Sequence, residues 1–248
     1  MAVSFPQIML LFFVYAVIGW LWETVYCSLK ARKFVYRGFL IGPYCPIYGF
    51  GVLAVLYFIE PYQKNIIFLY VMSAIVVTVL EYVTSYGLEK IFHTTWWDYK
   101  DVPFNINGRV AIPISLFWGL GCVVIVKWIQ PLVMKIVNYL ITDFGNSLPL
   151  ILFGLLFIDF CYSVASMNAF QKEVAKISEE FESKKSEISE GISELKVEAK
   201  QKLSTNHLRF NQKRMLNSYR KINMPEIKYF KEIKELQNQK KPTKKTSN

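Results

Sequence analysis

The chain has 248 residues, 53% of them hydrophobic and 16% aromatic, with a mean hydropathy of +0.25 and a formal net charge of +10. That apolar load excludes an ordinary water-soluble domain and points to several membrane spans. The charge is uneven: residues 1–169 carry 10 Lys and Arg against 8 Asp and Glu, whereas 170–248 carry 19 against 11, so an apolar membrane domain precedes a basic, water-soluble tail.

A helix needs about 20 apolar residues to cross the hydrocarbon layer, and five stretches qualify. They are 8–22 continuing toward residue 28, 38–59, 66–86, 110–129 and 147–169. The expected fold is all-α: a polytopic membrane helix bundle of about five spans with a soluble helical C-terminal tail. The first stretch reads as a retained span, because no basic residue precedes it and no small-residue cleavage site follows it.

In the first span, Glu23 lies three positions after Trp20 and shares its helix face. The loop that follows holds Lys30, Arg32, Lys33 and Arg37, a cluster that marks a cytoplasmic loop. The second span carries the run FLIGPYCPIYGFG, which holds Gly42, Pro43, Pro46, Gly49 and Gly51. Pro43 and Pro46 each remove a backbone donor, and the GxxxG spacing of Gly38 and Gly42 suits close helix approach. Non-helical backbone at membrane depth persists only where protein or water satisfies it. Residues 38–51 are therefore read as a broken or kinked segment, buried in the bundle and lining a polar cavity, with Tyr44 and Tyr48 offering hydroxyls; the alternative is a plain proline-kinked helix packed through its glycines.

The third span places Glu81, Ser85 and Glu89 on one side, one helical turn apart. The stretch 92–108 that follows is dense in aromatic and polar groups. Trp96, Trp97 and Tyr99 fit an interfacial aromatic belt, and Asn105, Asn107 and Gly108 supply turn chemistry. His93 and Asp98 are candidates to pair, bind a headgroup or relay protons. Arg109 opens the fourth span as Arg37 opens the second, so the order acid, then arginine beside glycine, occurs twice. That spacing suggests a parallel repeat of two hairpins with Glu23, Arg37, Glu81 and Arg109 as ion-pair partners. Asp159 falls inside the fifth span, where lipid cannot solvate it.

Cys27, Cys45, Cys122 and Cys161 show neither CxxC spacing nor a set of histidine ligands, and read as free thiols. No cofactor, metal or catalytic residue is expected, and the chain does not read as an enzyme. In the tail, Phe170, Val174, Ile177, Phe181, Ile188, Leu195 and Ala199 recur at helical steps, so a coiled coil or helical hairpin, with self-association, is expected there. Pro225 is read as the start of a further helix over 226–239, and the closing KKPTKKTSN as a disordered end. Basic loops and tail suit anionic inner-leaflet lipids. No recognition motif supports nucleic-acid binding. The Lys and Arg distribution puts the N-terminus outside and the tail in the cytoplasm of a multi-pass cell-membrane protein.

The segments GWLWET, RGFLIGPYCPIYGFG, LEYVTSYGLEKIF and HTTWWDYKDVPFNINGRVAI together make the chain similar to the bacterial membrane-protein family of ABC-transporter type IV permeases, over about residues 12–159. The family's WWDY is commonly followed by serine; here Lys100 follows and adds a charge beside the loop. The resemblance implies a transport component for an unspecified small solute. The chain has no GxxxxGK[ST] phosphate loop, so ATP hydrolysis would fall to a separate ATPase subunit. The other reading is a non-transporting protein whose bundle binds lipid or a partner and whose tail recruits cytoplasmic proteins.

Overall fold

The computed structural model describes residues 3–187 together with Arg214, Asn223, Met224, Pro225, Ile227 and Phe230. Six α-helices follow one another among the described residues: α1 (Phe5–Ala31), α2 (Pro46–Phe58), α3 (Ile66–Phe92), α4 (Ile112–Val124), α5 (Gln130–Phe144) and α6 (Ser147–Glu187). A π-helical turn, Ile125–Ile129, fuses α4 to α5, so 112–144 is a single rod. α1, α3, the fused rod and α6 are each long and apolar enough to span a bilayer, and α2 is a shorter apolar helix.

Helices α1 to α4 are apolar on nearly all sides, so their arrangement follows close packing and lipid contact rather than amphipathic stripes. Leu10, Leu11 and Tyr15 of α1 pack with Val52 and Val55 of α2, Leu69 of α3, Val123 and Val126 of the rod, and Val133 and Val137 of α5. Outward, Ile18, Leu21 and Val25 of α1, Val79 and Val83 of α3, Leu132 and Ile136 of α5, and Leu155 and Ile158 of α6 are all exposed. So wide an apolar exterior is sealed only by acyl chains.

Two hairpins repeat. α1 and α3 each run 27 residues and end on a residue with left-handed backbone, Arg32 (φ 51°) and His93 (φ 46°). Each is followed by a loop and then a 13-residue helix with proline in its first turn, α2 and α4. Within the hairpins, glycine allows the close approach. A Cβ at Gly49 would stand 2.7 Å from the Phe12 carbonyl oxygen of α1, and one at Gly119 would stand 2.8 Å from Ala74 Cβ of α3.

The second crossing is interrupted, but not as a kinked helix. Residues 32–45 are non-helical, and Pro46 opens α2 instead of breaking it. Gly38 and Gly42 therefore do not form a GxxxG helix face; Gly38 sits at φ +104°, a conformation open to glycine, and is buried. The segment runs back along α1. Val35 N–H donates to Ser28 Oγ (2.9 Å), Arg37 N–H to Thr24 Oγ1 (3.4 Å), and Cys45 N–H to the Ala16 carbonyl (2.9 Å). From Ser28 back to Ala16 is about 18 Å of helix, which takes extended backbone well into the bilayer's depth.

The fourth and fifth spans are longer than expected. The rod continues past Ile129 to Phe144, because the wider turn directly before Pro131 accommodates a ring that would clash inside a regular helix. α6 passes residue 169 without a break. Phe170, Val174 and Ile177 of the helical seam are buried in the chain itself, against Phe92, Trp96, Met224 and Phe230. Ile188, Leu195, Ala199, most of the helix expected over 226–239 and the final KKPTKKTSN lie outside the described residues.

Candidate functional site

Glu23, Glu81 and Glu89 lie toward the end of the bundle where α1 and α3 finish. Glu23 is the first centre. Its Oε2 accepts from Arg37 Nε at 2.9 Å, and its Oε1 accepts from the Tyr48 hydroxyl at 2.8 Å. The expected Glu23–Arg37 pair is therefore present, both side chains being at most 28% exposed. The interrupted segment makes it possible: by returning along α1, residues 32–45 bring Arg37 level with Thr24, and α2 starts where Tyr48 faces Gly19.

Arg109 behaves differently. It forms its ion pair with Glu89, not with Glu81. Glu81 and Glu89 are two turns apart on one face of α3, and Arg109 stands just before β2 (Val110–Ala111), level with the end of that helix. Its guanidinium also lies over the rings of Tyr82 (5.8 Å) and Tyr86 (5.4 Å). Glu81 accepts instead from the Tyr99 hydroxyl at 3.1 Å. Burial, and then the Glu81 carboxylate beside it, push the Tyr99 phenol well above its usual value. The Tyr99 hydroxyl also feels Glu23 and Arg37, so both carboxylates belong to one electrostatic neighbourhood.

The loop 93–111 builds the wall of this neighbourhood. β1 (Asn105–Ile106) pairs antiparallel with β2, Asn105 opposite Ala111 and Ile106 opposite Val110. Asn107 (φ 53°) and Gly108 (φ 68°) make the tight turn, closed by the Arg109 N–H to Ile106 carbonyl bond at 3.0 Å. Asn105 Oδ1 accepts from Gly108 N–H at 3.1 Å, and its Nδ2 donates to the Val102 carbonyl at 2.8 Å. Asn107 Nδ2 donates to the Tyr82 hydroxyl at 3.2 Å, and Trp97 Nε1 to the Arg109 carbonyl at 2.9 Å. Asp98 accepts from the Lys100 N–H at 2.9 Å, while His93 caps α3 at the surface. The aromatic belt expected at 96–99 turns inward. Trp96 is 4% exposed in a protein cluster and Tyr99 faces Glu81, because both have protein partners that a headgroup layer would not supply.

Asp159 is the second centre. From α6 it reaches across to the interrupted segment. Its Oδ1 accepts from Ile41 N–H (2.9 Å) and Ser163 Oγ (3.0 Å), and its Oδ2 accepts from Gly42 N–H (2.7 Å) and the Tyr44 hydroxyl (2.8 Å). The aspartate thus satisfies two consecutive backbone donors that a broken crossing would leave bare. Arg214, from the basic tail, completes the segment's backbone. It donates to the Gly38 and Phe39 carbonyls at 2.8 Å each. Sequence reasoning did not find Arg214, because nothing in its local pattern distinguishes it from the tail's other basic residues. Within the bundle, Tyr15 and Gln130 form a buried hydroxyl–amide bond of 2.5 Å that was likewise not anticipated. Of the four cysteines, all free, Cys45 and Cys122 are buried and Cys161 is exposed.

A helical bundle with an interrupted crossing and acid-centred polar clusters inside an apolar exterior defines a multi-pass membrane protein. Residues 10–164 match the family described as Putative ABC-transporter type IV, and the chain belongs to that family. No curated protein and no solved structure matches the chain.

Proposed function

We propose that the chain is the membrane-embedded component of a transport system for a small solute, with the Glu23–Glu81 neighbourhood as part of the solute's route. The observation that carries this reading is the interrupted second crossing. It brings Arg37 and the Tyr48 hydroxyl onto Glu23 inside an apolar bundle, while the loop 93–111 sets the Tyr99 hydroxyl on Glu81. Ionisable groups so placed mark solute or ion pathways, and half-crossings with exposed backbone are the usual way such pathways are built. The family membership agrees with it. The chain is non-enzymatic in this reading, and a separate subunit supplies ATP hydrolysis, since no phosphate-loop motif occurs anywhere in the sequence.

The cluster end of the bundle faces the cytoplasm of the cell membrane, and the N-terminus lies outside. Lys30, Arg32, Lys33, Arg37, Lys90, Lys100 and Arg109 all belong to the loops and helix ends at that side. Lys30, Arg32 and Lys33 are exposed beside exposed Leu29 and Phe34, a combination that suits anionic headgroups over acyl chains.

The experiment is purification of the full chain in native-lipid discs, with identification of co-purifying components and ATP-dependent uptake after reconstitution with them. A stoichiometric subunit carrying a phosphate loop, together with uptake lost in Glu81→Gln at unchanged expression, supports the proposal. A chain that purifies with tightly bound lipid and no ATPase, and whose Glu81→Gln variant behaves as wild type, refutes it in favour of a lipid-binding role.

A further inference from the structure

The interrupted segment is held from two directions. On one side Asp159, fixed in α6, accepts the N–H groups of Ile41 and Gly42. On the other side Arg214 donates to the carbonyls of Gly38 and Phe39, and its guanidinium lies 5.2 Å from the Tyr36 ring centroid. Arg214 is 7% exposed, so a tail residue is built into the bundle. Further along, Asn223 and Thr95 exchange both backbone hydrogen bonds, at 2.8 and 2.9 Å. Met224 and Phe230 are buried in the cluster formed by Phe92, Trp96, Met167, Phe170 and Val174, against which Phe39 also packs.

We propose that Arg214 together with Asn223, Met224 and Phe230 acts as a strap that holds the interrupted segment closed over the Glu23–Glu81 neighbourhood, so that the tail controls access to it. Carbonyls at membrane depth need a donor. The donor that Gly38 and Phe39 use comes from a part of the chain attached through α6 and a tail, not from a neighbouring span. When the strap leaves, those carbonyls lose their guanidinium and residues 36–42 rearrange about the Asp159 anchor. Arg37 lies within that stretch, so its pairing with Glu23 changes at the same moment. The control role rests on the transport reading above; the strap itself does not.

The test reads the strap without any transport assay. Cys45 is 7% exposed, and a Cβ on Gly38 would stand 3.3 Å from its sulfur, so its reactivity reports the segment's closure. The full chain in native-lipid discs, with Cys27→Ser, Cys122→Ala and Cys161→Ser, keeps Cys45 as the single thiol for a small maleimide. Losing two charge-assisted hydrogen bonds should speed Cys45 labelling at least about tenfold in Arg214→Ala, with Arg214→Lys in between. Met224→Ala/Phe230→Ala, which leaves Arg214 in place, should speed it as well, and reads the same strap if Arg214→Ala fails to fold. In the same background, Thr95→Cys/Asn223→Cys should form a disulfide on mild oxidation, since a mutually hydrogen-bonded antiparallel pair has Cα atoms about 5.5 Å apart. That cross-link should slow Cys45 labelling again in Arg214→Ala. Parental labelling in a folded Arg214→Ala or Met224→Ala/Phe230→Ala chain, or no cross-link under oxidation, overturns the proposal. Normal strap behaviour in a chain that shows no uptake overturns only the transport reading.

Discussion

Replacing Asp159 by alanine removes the acceptor for four donors at once: the N–H groups of Ile41 and Gly42 and the hydroxyls of Tyr44 and Ser163. The two hydroxyls can rotate toward other acceptors, so the backbone donors dominate the cost. A hydrogen bond to a charged group contributes about 1.5–3 kcal/mol, and a bare buried donor costs about 1–3 kcal/mol. Two such losses, discounted for a half-buried carboxylate and for partial relaxation, give an expected destabilisation of about 3–4 kcal/mol. Asp159→Asn keeps one acceptor oxygen and should cost about half of that. The assay is equilibrium unfolding of the detergent-solubilised full chain by increasing denaturing detergent, followed by circular dichroism. Limited proteolysis gives a second readout: the alanine variant should be cut within 38–45 and the wild type should not. An alanine variant within about 0.5 kcal/mol of wild type, with the segment still protected, would refute the reasoning, because it would mean those N–H groups are satisfied without Asp159.

Charge reversal should separate the arginine partners. Glu89→Arg/Arg109→Glu should recover about 1–3 kcal/mol relative to the sum of its single variants in the same unfolding assay, whereas Glu81→Arg/Arg109→Glu should recover nothing. Glycine positions should split in the same way. Gly119→Ala, which drives a methyl onto Ala74 and the Tyr70 carbonyl, should cost about 1–3 kcal/mol, while Gly51→Ala, with open space around it, should be neutral or slightly stabilising. Tyr99 sets a pH dependence. Its folded phenol titrates above the unfolded value of about 10, so its contribution is fully present below that pH and is lost as pH rises further. Stability above about pH 10 should therefore fall less steeply in Tyr99→Phe, by up to about 1.4 kcal/mol per pH unit, as measured by unfolding at stepped pH; identical slopes would contradict the burial of that hydroxyl.

Much of this architecture could be read from residue types alone, for reasons specific to membranes. An apolar run of span length has few alternatives, so α1, α3 and the start of α6 were legible. That the second run is interrupted was legible because proline and glycine inside it demand an explanation, although the break occupies 32–45 and not 38–51, and Glu23 and Arg37 were legible because an acid near a span's end needs a partner. The exact partners were not. Glu81 and Glu89 share a helix face, and only the level at which Arg109 enters distinguishes them. The fourth span was read as 110–129, because the π-helical turn that carries the rod past Pro131 has no compositional mark. The inward turn of Trp96 and Tyr99 depended on contacts with α3, α6 and the tail, which lie far away along the chain.

The length of α6 has a mechanical consequence. Its 41 residues make a rod of about 60 Å, roughly double the hydrocarbon thickness. With its first turns in one leaflet, its far half stands clear of the opposite leaflet as a lever, and Asp159, about 18 Å from the start of the helix, lies on the arm inside the lipid. A partner that tilts the protruding half by a few degrees would pull on Ile41 and Gly42 through that carboxylate, and a push applied outside the lipid would arrive as a displacement within it.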